Sequence, residues 1–374
     1  MQLQRIWLTD FRSYAAAELE LAPGLTAVVG ANGEGKTNLL EAIGYLATLR
    51  SFRGAPTEAL IREGAGQAVV RAEGTRLERS LLVEAEINRS GRNRVQVNKQ
   101  RLQRSRDLLG ALRVTVFAPD DLVLVKGGPS GRREYLDDAL VAVRPAHDAL
   151  RADVDRVLRQ RNALLKQAGG RLTPEVEATL DVWDAKLVEA GSALVDARVK
   201  LLDRLAPVLA AAYDQVAQRA AEVRAAYESA WLDQGLAAAL ASARRDDVRR
   251  GVSTVGPHRD EVALHIAGLP ARTHASQGEQ RSLAWALRLA AHGVVTEATD
   301  SPPVLLLDDV FSELDPDRSA ALLHHLPPGQ TILSTAGVLP PGAEPDAVIE
   351  VRAGTVRARG AERPAEPATT PAGE

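Results

Sequence analysis

Gly30-Ala31-Asn32-Gly33-Glu34-Gly35-Lys36-Thr37 follows the apolar run Leu25-Thr26-Ala27-Val28-Val29. Beyond it Leu39, Ile43, Leu46 and Ala47 recur at three- and four-residue spacing. The octapeptide fits G-x-x-x-x-G-K-[ST] without a mismatch, and its flanks predict a strand before it and a helix from Lys36 to Leu49 after it. Glycines let such a backbone curl until successive N–H groups point at phosphate oxygens, and the helix N-terminus adds its positive dipole end. The motif implies that Gly30, Ala31, Asn32, Gly33, Glu34, Gly35, Lys36 and Thr37 hold the triphosphate of ATP, with Asn38 beside them. Lys36 is expected to reach the β- and γ-phosphates, and the Thr37 hydroxyl to sit on Mg²⁺.

A P-loop needs an acidic partner, and Val304-Leu305-Leu306-Leu307-Asp308-Asp309 supplies a buried strand ending in acid. Adjacent carboxylates at a strand end are hard to bury without a cation. Asp308 is therefore expected to hold Mg²⁺, directly or through water. Asp309 is expected to polarise the attacking water, which with Lys36 makes the catalytic pair.

Two further motifs have both a local and an intermolecular reading. Ser276-Gln277-Gly278-Glu279 is an S-x-x-E capping box opening a helix through Leu283, Leu287 and Ala290. Its first turn leaves N–H groups exposed for an anion. Asp315 before Pro316 is a helix N-cap with proline in the first helical position.

Other strand-like runs are Leu3 to Leu8, Ala16 to Leu21, Ser80 to Ile87, Arg94 to Val97, Arg113 to Phe117 and Thr331 to Leu333. From about Gly131 to Arg250 the chain is rich in Ala, Leu and Arg, with helical periodicity expected to break at Gly169-Gly170 and at Gly191. The final stretch, rich in Ala, Pro, Glu and Thr, is expected to be a disordered tail.

Composition bounds the function only loosely. The 374 residues carry 45% hydrophobic and 25% charged side chains, as globular proteins do, so length permits two domains. The absence of cysteine excludes disulfides and thiolate chemistry. Neither a signal peptide nor a membrane-length apolar run is visible, so a cytoplasmic protein is expected. A net charge of −3 gives no general attraction to nucleic acid, so any DNA contact must be local. Arg89, Arg92, Arg94, Lys99, Arg101, Arg104 and Arg106 form one stretch without an acid, the candidate DNA contact. No aromatic residue lies in that stretch, so backbone contact is expected rather than base stacking.

Taken in order, these pieces resemble the RecF family of bacterial recombination-repair ATPases, relatives of the SMC and Rad50 heads. The resemblance is carried by Asp10-Phe11-Arg12-Ser13-Tyr14, by the P-loop extended to Ala42, and by Arg50-Ser51-Phe52-Arg53. It continues through Pro119-Asp120-Asp121-Leu122, Gly128-Pro129-Ser130-Gly131-Arg132-Arg133 and Gly256-Pro257-His258-Arg259-Asp260 to the segments 275–281 and 306–315. About 240 residues separate Lys36 from Ser276, room for a compact lobe but not for a long coiled coil.

The resemblance implies an α/β ABC-type ATPase head built from residues 1–125 and 251–358, a helical lobe over 126–250, and a tail over 359–374. It also implies that Ser276 and Gly278 act in trans on the nucleotide of a second copy, with Asp315 at the dimer interface. Such an enzyme is a weak, DNA-stimulated ATPase that dimerises on DNA with ATP. Family partners are gapped or junction DNA, RecR and RecO, in recombinational repair and the SOS response. No histidine follows Thr331 to Leu333, where many ABC ATPases sense the γ-phosphate; Ser334 or Thr335 is the nearest polar candidate. Asp120 and Asp121 are the candidates for the place of the usual lobe-loop glutamine. Two rival readings fit less of the chain. A P-loop metabolic kinase leaves the Ser276 signature and the Ser312-Glu313-Leu314-Asp315 segment without purpose, and a transporter ATPase subunit leaves the repair-family segments unexplained.

Overall fold

Apolar alternation along Gln2–Phe11 buries Leu3, Ile6, Leu8 and Phe11, and this strand, β1, organises the N-terminal sheet. The computed structural model describes residues 1–217 and 220–359. After β1 come β2 (Tyr14–Glu20), β3 (Leu25–Val29), α1 (Lys36–Thr48), β4 (Gln67–Arg76), β5 (Arg79–Asn88), β6 (Arg94–Val97) and β7 (Gln100–Arg101). Then follow β8 (Val114–Phe117), α2 (Val123–Lys126), α3 (Pro129–Val143), α4 (Asp148–Ala168), α5 (Pro174–Val216), β9 (Val223–Glu228) and α6 (Leu236–Arg250). The chain continues through β10 (Glu261–Ile266), β11 (Leu269–Pro270), α7 (Ala271–His274) and α8 (Gln277–Thr299). It closes with β12 (Val304–Asp308), α9 (Pro316–His324), β13 (Thr331–Thr335), β14 (Ala347–Arg352) and β15 (Thr355–Arg359). Apart from Arg359, the expected tail lies outside the described residues.

Contacts divide the chain into two units. The first holds Met1–Leu108, Val304–Leu314 and the chain from Gly329; the second holds Leu109–Pro303 and Asp315–Pro328. The expected helical lobe, 126–250, lies wholly within the second unit, which also takes in 109–125, 251–303 and Asp315–Pro328, all expected in the head. The reason is packing: α8 packs against α5.

In the first unit an antiparallel sheet runs β2-β1-β4-β5-β6-β7. A second sheet runs β15-β14-β3-β13-β12 through this unit, with β14, β3, β13 and β12 parallel. Burial of β3 and β12 along nearly their whole length explains why both read as continuous apolar runs rather than alternating ones. Strand β13 lies between them, with Asp308 opposite Ser334 and Val29 opposite Thr335. Three ends of parallel strands therefore converge, the usual place for a ligand in such sheets.

The second unit is mainly helical. Its longest element, α5, spans 43 residues from the Thr173 cap and Pro174 at the first position. The helix α4 ends at the predicted Gly169-Gly170 break, but Gly191 does not interrupt α5. Gly191 is small because of packing: an added Cβ would lie 2.8 Å from Leu236 Cδ2 and 3.3 Å from Pro257 Cδ. Arg161, fully buried, ties the helices together through Asp184 at 2.6 Å, Asp247 at 2.7 Å and the Ser253 hydroxyl at 2.8 Å. Burial of a guanidinium requires such pairing, because an unpaired ion there would be strongly destabilising.

Candidate functional site

The P-loop is fixed by its surroundings in the first unit. Gly33 and Gly35 take φ values of +83° and +117°, which side-chain-bearing residues rarely adopt. Gly35 also lies under Tyr14, whose hydroxyl donates to the Gly35 carbonyl at 2.9 Å. The Asn38 amide donates to the Ser13 hydroxyl at 3.0 Å, which ties the start of α1 to the turn between β1 and β2. On the other side, the Glu34 carboxylate accepts from Ala353 N and the Glu34 carbonyl from Gly354 N, so the β14–β15 turn braces the loop. An added Cβ at Gly30 would strike the Val351 carbonyl. Lys36 is largely buried, and its ammonium donates to the Ala31 carbonyl at 2.9 Å.

Across 271 residues of sequence, the Thr37 hydroxyl donates to Asp308 Oδ1 at 2.9 Å. Ser334 donates to the same oxygen at 2.8 Å and accepts from Asp309 N at 3.0 Å. Burial raises the Asp308 carboxyl above the ordinary carboxylate range, Ser334 and Thr37 pull it back, and the neighbouring Asp309 raises it again. Asp309 has a left-handed backbone with φ 50°, and its Oδ1 is buried with no hydrogen-bond partner among the described residues. Buried acceptors are seldom left unsatisfied, and left-handed side-chain-bearing residues cluster at functional sites.

Magnesium fits these residues. One carboxylate and one hydroxyl, within hydrogen-bond distance of each other, are the protein's usual share of a magnesium site completed by phosphates and water. No group of three or more His, Cys, Asp or Glu able to hold a metal occurs among the described residues. The site thus lacks the dedicated cage of a structural metal.

In the second unit the expected capping box is formed. Ser276 Oγ accepts from Glu279 N at 3.3 Å, and Glu279 Oε2 accepts from Ser276 N at 2.7 Å. Asp315 caps α9 by accepting from Arg318 N at 2.9 Å and also receives Arg318 Nη1 at 2.8 Å. Arg318 lies against Gly278 as well, so it joins the predicted residues Ser276, Gly278 and Asp315 into one cluster. No spacing rule indicated Arg318. Asp121 is engaged within its own unit, accepting Arg288 Nη2 at 2.6 Å, while Asp120 is exposed.

The basic stretch is partly assembled into a cleft of about 870 Å³ in the first unit. Arg89, Arg92, Arg94, Arg101 and Arg104 line it, together with Glu58, Asn88 and Ser105; Lys99 and Arg106 do not. Arg94 pairs with Glu86 at 3.6 Å, and Arg89 Nε donates to the Ala65 carbonyl at 3.0 Å. Among the described residues no acid pairs with the side chains of Arg92, Arg101 or Arg104, and all three are exposed. The hairpin carrying Arg92 is fixed, with Asn88 N donating to Asn93 Oδ1 at 2.9 Å and Asn88 Nδ2 to the Arg92 carbonyl at 3.0 Å.

Comparison with known proteins agrees with this geometry. The family model described as RecF/RecN/SMC N terminal domain matches residues 2–332. A DNA replication and repair protein RecF from Arthrobacter sp. (strain FB24) is 43% identical over 375 residues, covering 90% of this chain and 94% of the relative. The chain belongs to the RecF family. A RecF from Frankia alni is 46% identical over 356 residues, again covering 90% of this chain and 94% of its own length. The solved structure of the recombination mediator protein RecF-ATP in the RecFOR pathway matches with TM-score 0.88 and 28% identity, over 96% of this chain and 97% of that one. An Smc head bound to the C-winged helix domain of ScpA has TM-score 0.56 at 17% identity over 96% of this chain and 97% of its own, which shows the shared head fold. This RecF-family chain is thus an ABC-type ATPase head. No described helix is long and apolar enough to cross a membrane.

Proposed function

We propose that this RecF-family chain is a repair ATPase whose nucleotide state decides whether two copies close on DNA. The observation that carries the reading is the convergence of Thr37, Asp308, Ser334 and the unsatisfied Asp309 Oδ1 beside the P-loop. Gly30 to Asn38 hold the ATP phosphates, Lys36 neutralises charge at the β- and γ-phosphates, and Thr37 with Asp308 holds Mg²⁺. Asp309 orients the attacking water. Phosphoryl transfer needs little more than this positioning and charge neutralisation.

Ser276 and Gly278 of one copy complete the site of the other, and Asp315 lies at the interface between them. Binding of ATP closes the dimer, and slow hydrolysis, faster with DNA, reopens it. The arginine-lined cleft contacts the DNA backbone without regard to sequence. RecO and RecR are its partners, a reading supported by the description of a RecF relative within the RecFOR pathway; the chain acts in the cytoplasm, in repair of gaps and in the SOS response. The head is built from both chain ends around the helical lobe.

Light scattering with and without ATP tests the coupling. Lys36→Arg should weaken nucleotide use and ATP-dependent dimerisation together, and normal dimerisation in that variant would sink the coupling. Ser276→Arg should spare ATP binding and block the closed dimer.

A further inference from the structure

The first turn of α8 is covered by a guanidinium from the start of α9. Ser276 is the N-cap, Gln277 and Gly278 the first two helical residues, and Glu279 the third. The guanidinium of Arg318 lies against Gly278: an added Cβ there would be 2.8 Å from both Cζ and Nη1, and nearer still to Nη2. Any side chain at position 278 would displace the guanidinium.

Asp315 holds Arg318 in place. One carboxylate oxygen caps α9 through Arg318 N, and the other accepts Arg318 Nη1. A single acid therefore sets both the start of α9 and the aim of the guanidinium. Those bonds hold the Asp315 carboxyl below its ordinary range. Arg318 thus touches both the first turn of α8 and the first turn of α9.

We propose that Arg318 is a positioning residue for nucleotide-driven dimerisation, linking the Asp315 segment to the Ser276–Gly278 turn so that both meet the second copy together. This rests on the reading that Ser276 and Gly278 act on the nucleotide of the opposing chain. The residue is not assigned to the chemistry. Its part is to keep the turn that receives the phosphate in register with the segment at the interface, and Gly278 is glycine because the guanidinium occupies the space of a side chain.

The test uses full-length Arg318→Ala, Arg318→Lys, Gly278→Ala and the double variant Gly278→Ala/Arg318→Ala. Binding of a fluorescent ATP analogue to dilute monomer is measured beside light scattering across an ATP titration. With Arg318→Ala, monomer binding should stay within about twofold, while the ATP needed for half-maximal dimerisation rises about tenfold, as expected for loss of one charge-assisted link. Lysine keeps the charge without the planar fork and should fall between the two. Gly278→Ala should weaken dimerisation further, and the double variant should recover part of that loss because the methyl then has room. Strictly additive losses in the double variant, or unchanged dimerisation in Arg318→Ala, would overturn the assignment. Failure of the wild-type chain to dimerise with ATP, or unimpaired dimerisation of Ser276→Arg, would instead overturn the reading beneath it.

Discussion

Replacing Arg92, Arg101 and Arg104 together by alanine removes the three cleft guanidiniums that no acid in the described residues neutralises. If each engages a DNA phosphate, each displaces condensed counterions. The slope of log affinity against log salt should then fall by about 0.9 per residue on duplex DNA, about 2.7 for the three. Between roughly 50 and 200 mM salt, the intact chain should lose about 40-fold more affinity than the triple variant. Arg94 is the internal control, since its guanidinium already lies 3.6 Å from Glu86. Its alanine variant should change the slope less than any of the three singly.

Fluorescence anisotropy of a labelled gapped duplex, titrated with ATP present at several salt concentrations, reads the slope directly. Two unrelated sequences should give the same change, because phosphate contacts carry no sequence information. An unchanged slope in the triple variant would refute the assignment of the cleft. So would a loss of affinity at constant slope, which would indicate structural damage rather than lost phosphate contacts.

Other substitutions probe the ATP site and the fold. Ser334→Ala removes a donor to the buried Asp308 carboxylate, leaving it easier to protonate. The acid limb of the pH profile of ATP turnover should therefore move up by about one to two pH units. Thr335→Ala is the control, because its hydroxyl goes to the Val338 carbonyl at 3.0 Å. Asp308→Asn should raise the apparent Tm of the nucleotide-free chain at neutral pH by a few degrees and shrink the stabilisation by Mg-ATP in thermal melts. The sign follows from burial: a carboxyl raised on folding contributes stability below its unfolded pKa and loses it as pH rises through the folded one. Gly191→Leu should lower stability by about 1–3 kcal/mol in denaturant unfolding, despite leucine's better helix propensity, because Leu236 and Pro257 occupy the space.

What the sequence displayed was chiefly local. The P-loop, the Ser276 capping box and the Asp315 cap each declare themselves within a few residues, and each forms as expected. The β3 and β12 runs were legible because burial along their length forces continuous apolar sequence. Gly191 misled for the same local reason: glycine in a helical pattern reads as a break, whereas its cause lies in the side chain of Leu236 and the ring of Pro257. Strands β4 and β9 emerge only from their pairing partners, whereas Ala267-Gly268 after β10 and Ala353-Gly354 after β14 form two-residue turns at positive φ.

The harder gap concerns what completes the site. A serine after an apolar strand has no distinguishing pattern, and Ser334 could be named only as the nearest polar residue where related ATPases carry histidine. Its role depends on β13 lying between β12 and β3, and β3 comes from the other end of the chain. Once that register exists, one hydroxyl reaches the Asp308 carboxylate and the Asp309 backbone N–H together. Ser334 thus ties the acid assigned to Mg²⁺ to the acid assigned to water. A slip of β13 by one residue against β12 would turn the serine to the other face and break both bonds. Asp308 and Asp309 are therefore only as well placed as the parallel sheet beneath them, and sheet register is the property that motif spacing cannot encode.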